Sequence, residues 1–90
     1  MEEQLRVKSR EQVRIRRKRL ESNERRVAEL KKLFIKIYED NASGRLTDER
    51  YDLLSQTYEA ERKQLEVEAI TLQQEIEARE RQNENLEKFI

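Results

Sequence analysis

The chain reads as two runs of heptad-spaced apolar positions on either side of one break. In the first run Val13, Leu20, Val27 and Phe34 follow at seven-residue steps, and Leu30 and Ile37 supply a second seam position next to the break. Further from the break that second position falls on Asn23, Arg16 and Ser9. The second run is Tyr51, Tyr58, Leu65, Leu72 and Leu86, interrupted by Arg79, with Ala69, Ile76, Asn83 and Ile90 beside it. Apolar residues alternately four and three apart keep one helix face apolar, which is the coiled-coil pattern. The break spans residues 40–48 around Gly44, the only glycine of a chain without proline. The pattern predicts an all-α fold, an antiparallel two-helix coiled-coil hairpin built as a single domain. Its helices would cover about residues 3–41 and 47–90, with the turn over 42–46. Each arm would run ~60 Å at 1.5 Å per residue.

The break carries its own instructions. Asp40, Asn41 and Ser43 disfavour helix interiors, and Gly44 tolerates the left-handed conformation that ends a helix. Thr47 is a good N-cap, and Asp48 and Glu49 follow it at the positive end of the helix dipole. Leu46 precedes the cap and Tyr51 sits at the fourth helical position, the spacing of a hydrophobic staple. Arg50 stands where a capping box needs Glu or Gln, so the box is incomplete. Folding about Gly44 sets Phe34 opposite Leu54, Leu30 opposite Tyr58, Leu20 opposite Ala69 and Val13 opposite Ile76. Asn23 then faces Leu65 and Arg16 faces Leu72. The seam is expected to be richest near the turn and most polar near the chain ends, where fraying is expected. Long arginine stems lie readily over apolar neighbours, so Arg16 and Arg79 need not break it.

Composition fits long helices better than a globular core. Charged residues make up 44% and hydrophobic residues 34% of 90 positions. The net charge is zero, but residues 1–41 hold 13 Lys and Arg against 8 Asp and Glu, a net of +5, and residues 42–90 hold 7 against 12, a net of −5. Arms of opposite sign favour side-by-side pairing, weakly for each wet pair. With no Cys and no His, thiol chemistry, the usual zinc ligands and the commonest general base are all missing. No cofactor or metal site is expected in the chain. The longest apolar run is Leu33-Phe34-Ile35, too short for a membrane span, and residues 1–4 lack the apolar stretch of a signal peptide. A cytoplasmic location without membrane contact is the default expectation.

Three features invite a functional reading. Leu33, Tyr38, Leu46, Tyr51, Leu53 and Leu54, together with Ile35, put more apolar surface around the turn than one helix pair covers. They form either a partner-binding tip or a local cluster that closes the hairpin. The segment Arg6 to Arg19 holds eight Lys or Arg and one Glu. Arg10, Arg14, Arg16 and Arg17 are candidates for a DNA-proximal basic face. The plainer explanation is that the run faces Glu75, Glu77, Glu80 and Glu84 of the other arm, and no aromatic is interleaved for base stacking. Tyr51 and Tyr58 lie on the seam, where packing is the simpler role than nucleophilic chemistry. The carboxylates are spread over solvated faces, and no catalytic site emerges.

Residues 37–66, IYEDNASGRLTDERYDLLSQTYEAERKQLE, carry a family resemblance. The string resembles the hinge of the coiled coil in large serine recombinases, the site-specific recombinases and transposases of Gram-positive mobile elements. Tyr38, Glu39, Asp40, Asn41, Gly44, Asp48, Glu49, Arg50, Tyr58, Glu59, Glu61 and Leu65 match that pattern. Tyr51 stands where Phe is common and Leu46 where Ile is common. The match covers about a third of the chain, and outside it only generic coiled-coil character agrees.

The resemblance implies a fragment of a larger enzyme, inserted in or near a zinc-ribbon DNA-binding domain, with Met1 an added start residue. Zinc and the catalytic serine would belong to the parent's other domains, and the fragment itself would not be an enzyme. Its partner would be the coiled coil of another DNA-bound subunit, holding two DNA sites in synapsis and helping to set recombination direction. A directionality factor would be a further partner, and homo-oligomers of the fragment are expected. Two readings compete with this one. A spacer or dimerisation coiled coil of an unrelated cytosolic protein would run as a continuous helix through residue 44. A nucleic-acid-binding basic helix would show salt-sensitive binding that depends on Arg14, Arg16 and Arg17.

Overall fold

In a computed structural model the chain forms two helices, α1 (Glu2–Ala42) and α2 (Asp48–Lys88), packed against each other as an antiparallel hairpin. The structure describes residues 2–88, and the side chains of residues 7–82. Leu86, Asn83, Ile90 and Glu84, and the fraying expected at the chain ends, lie outside the described side chains. Packing divides the chain into two units, one comprising Asn23–Val67 and the other Met1–Ser22 with Glu68–Ile90.

The first of these units contains the turn. Leu30 and Ile37 are buried, and Phe34 meets the Tyr58 ring edge-on, with centroids 5.8 Å apart and planes at 82°. That is the arrangement aromatic quadrupoles favour. Phe34, Val27, Leu54, Tyr58 and Leu65 are half-buried. Two helices alone leave one flank of each layer open to water, so only side chains on the line between the axes are fully enclosed. Asn23 occupies such a position. It is 8% exposed, and its Nδ2 makes no hydrogen bond.

The second unit buries Val13, Leu72 and Ile76, while Leu20 and Ala69 are half-buried. Polar residues on this stretch of the seam do not prevent that burial. The reason lies in the arginines. Arg16 is half-buried and sends its guanidinium sideways to Glu75, and half-buried Arg79 donates from Nε to Gln12 Oε1 at 2.9 Å. Their polar heads leave the seam and their stems stay beside it, so the apolar residues close over one another.

The turn follows its local chemistry. Gly44 takes a positive φ of 82°. The N–H of Arg45 and that of Leu46 both donate to the Asp40 carbonyl, at 2.9 and 3.0 Å, and Ser43 N–H donates to the Glu39 carbonyl at 2.9 Å. The last carbonyls of α1 are thereby satisfied, as a left-handed glycine after a helix permits. A Cβ at residue 44 would touch nothing within 4 Å. The cost of alanine there is therefore backbone strain alone, about 1–2 kcal/mol. At the start of α2, Thr47 Oγ1 accepts from Arg50 N–H at 3.3 Å. That is the N-cap bond to the third helical residue.

Candidate functional site

The turn is tied together by a side chain whose role the sequence pattern does not reveal. Asn41 donates from Nδ2 to the Leu46 carbonyl at 3.1 Å and to Asp48 Oδ1 at 2.7 Å. One amide at the end of α1 thus holds both the loop and the first carboxylate of α2. Ser43 Oγ adds a bond to the Asp40 carbonyl at 3.1 Å, and Lys36 Nζ lies 3.5 Å from Asp40 Oδ2. The sequence signal available for Asn41 was its dislike of helix interiors. Its partners follow only from the hairpin geometry.

Around this rigid turn the apolar residues separate into two groups. Leu33, Leu46, Tyr51 and Leu54 are half-buried. Tyr38 and Leu53 are 65% and 66% exposed, and Ile35 is 59% exposed. Ile35 and Tyr38 stand three residues apart on one face of α1. The side chains with area left to offer a partner are therefore Ile35, Tyr38 and Leu53.

The basic run lies in the other unit. Arg16 pairs with Glu75, Arg17 with Glu80 and Arg19 with Glu68 across the two helices. Arg10 and Arg14 are exposed and border a shallow depression with Glu11. Two of the four candidate DNA-facing residues are thus engaged by acids of α2. Glu77 pairs instead within its own helix, 3.9 Å from Arg81. The pairing of Arg19 with Glu68 was not foreseen.

A further interhelical pair sits in the unit that contains the turn. Arg26 forks onto Glu61, with Nε 2.5 Å from Oε2 and Nη2 3.0 Å from Oε1, while its Nη1 reaches Glu29 Oε2 at 3.1 Å. Two parallel bonds of this kind fix geometry as well as charge. On α2 itself Arg62 pairs with both Glu59 and Glu66. The hydrogen bond from Arg26 holds the Glu61 carboxyl below the usual range against an opposing desolvation, and the Arg26 charge adds to it. Arg16 does the same for Glu75, and Arg62 for Glu59.

These shifts predict an acid limb. A carboxyl whose folded pKa is depressed stabilises the fold fully above its unfolded value of about 4.3 and loses that contribution as pH falls through the lower folded value. Thermal unfolding followed by circular dichroism should therefore be flat from neutral pH to about pH 5 and fall in the acid range below about pH 4. A Glu61→Gln, Glu75→Gln double variant should show a shallower fall. Equal acid sensitivity in the two proteins would refute the assignment to these pairs.

Among the described residues no group of acidic side chains is arranged to hold a metal ion, and no helix is long and apolar enough to cross a membrane. No protein-family model, curated protein or solved structure matches the chain.

Proposed function

We propose that this hairpin is a protein–protein interaction module of a large serine site-specific recombinase or transposase, contacting the coiled coil of another DNA-bound subunit in synapsis. The observation that carries the reading is the turn. Ile35, Tyr38 and Leu53 are exposed on the helix segments next to a loop held by Asn41, Gly44 and Thr47. Apolar side chains held in water on a fixed frame favour contact with another protein. Of these loop residues, Asn41 and Gly44 also belong to the resemblance described above. A hairpin brings the two ends of its chain to the same side, which suits insertion in a zinc-binding DNA-recognition domain of the parent. A small apolar contact is weak alone and becomes effective when DNA holds two subunits close, where local concentration is high. In this reading the tip is the partner site, the fragment performs no chemistry, and a directionality factor competes for or redirects the tip. Arg10 and Arg14 would lie nearest DNA.

Leu53→Asp in the full-length recombinase tests the proposal. DNA binding by gel shift should be unchanged, and the complex joining two DNA sites should be lost. Normal joining by that variant would overturn the tip as the contact.

A further inference from the structure

On α2, within the unit that contains the turn, an open groove of about 510 Å³ runs between Asp52, Ser55, Gln56, Glu59, Ala60 and Lys63. The six residues form two adjacent rows at four-residue spacing, 52-56-60 and 55-59-63. Such rows are the ridges that interdigitate when two helices cross at about −50°. Ser55 and Ala60 are small, so a crossing helix can approach closely there. Asp52, Gln56, Ala60 and Lys63 are exposed, and Ser55 and Glu59 are half-buried.

The groove is complementary to itself. Under a two-fold axis beside residues 57 and 58, Asp52 faces Lys63 of a second copy, Ser55 faces Ala60, and Gln56 faces Glu59. A two-fold axis makes each pairing occur twice. We propose that this groove is a docking site for the same groove on a second copy of the chain, the two α2 helices crossing with opposite direction. Opposite charges then meet at both ends of the contact, and small residues meet on either side of its centre. The Gln56 amide donates to a Glu59 carboxylate that already accepts from Arg62 of its own helix and has lone pairs to spare. Glu49 and Glu66, one turn further out, would be like charges in a parallel alignment of axes. The oblique crossing carries them apart. With two acids and one base, the groove offers nothing to a polyanion.

The contact is small. Twelve residues span ~17 Å of a helix ~10 Å wide, on the order of 200–300 Å² per copy. A standard interface takes about 800 Å² per partner. Association through the groove is therefore weak and reversible, and it counts where copies are already held together. The inference goes beyond the recombinase reading. It needs no DNA and uses none of the exposed tip side chains.

Sedimentation equilibrium of the 90-residue chain over a concentration series at low salt tests it, with helicity checked by circular dichroism. The weight-average mass should rise with concentration. Asp52→Lys alone and Lys63→Asp alone each turn two symmetry-related pairs repulsive, and each should weaken self-association roughly tenfold. The double reversal should restore it, and Leu53→Asp should leave it unchanged. A chain that stays monomeric, single reversals without effect, a double reversal that fails to restore association, or loss of association in Leu53→Asp would each overturn the proposal.

Discussion

Leu30→Ala is expected to remove most of the stability of the unit around the turn. Leu30 is fully buried, at 0% exposure, and lies on the line between the two helices. Truncating a buried leucine costs about 2–5 kcal/mol, the lost transfer energy plus the cavity left behind. A small two-helix core rarely holds more than about 3–5 kcal/mol in total. The variant should therefore lose cooperative thermal unfolding in this unit, and amide protons of residues 26–37 should exchange much faster. Ile35→Ala supplies the control. That side chain is similar in size but 59% exposed, so its removal should change stability by no more than about 0.5 kcal/mol. Similar losses for the two variants would mean that Leu30 does not sit in the seam.

Asn23→Leu should act in the opposite direction. Asn23 is almost wholly enclosed, and its Nδ2 has no partner within the chain. An enclosed amide without a hydrogen bond costs about 1–3 kcal/mol. Leucine fills a similar space without that cost, so the variant should melt higher, with a gain of about 1–2 kcal/mol. Stability would be gained at the expense of definition. A polar residue at one seam position restricts register and partner number, because a shifted or larger assembly must enclose it again. The leucine variant should therefore also populate larger species in sedimentation. A less stable variant would show that the Asn23 amide is satisfied in the folded chain.

These two positions also mark what the sequence made legible. The seven-residue steps identified both helices, and the chemistry of Gly44 and Thr47 located the turn. Each of those signals is local: a positive φ that glycine tolerates and a hydroxyl that caps its own helix. Leu30 and Ile37 were readable as seam positions. Their burial, against half-burial of Leu20, Val27 and Phe34, was not readable, because it depends on which side chains lie between the axes of only two helices. Asn41 was legible as a helix-ender and not as the tie between the loop and Asp48, since that bond needs the second helix in place. The basic run was legible as charge. Its pairing with Glu75 and Glu80 was legible too, whereas the turn of Arg19 to Glu68 and of Glu77 to Arg81 depends on lateral geometry that spacing does not encode.

The candidate tip narrowed for the same reason. Six apolar residues near the turn looked equivalent as a set, yet Leu33, Leu46, Tyr51 and Leu54 are half-buried while Tyr38 and Leu53 face water. Ile35, which precedes Tyr38 by three residues, joins the exposed pair. A partner that docks on the turn therefore meets two side chains of α1 and one of α2.

The hairpin requires the chain to reverse at Gly44. Spin labels at positions 14 and 74, both exposed and both in the same packing unit, measure that reversal directly. The labelled chain is diluted in unlabelled chain, so that only distances within one molecule are read. Helix axes 8–10 Å apart with side chains outward place the labels about 20–30 Å apart in the hairpin. A helix running straight through residue 44 would hold them roughly 90 Å apart, and that result would contradict the account.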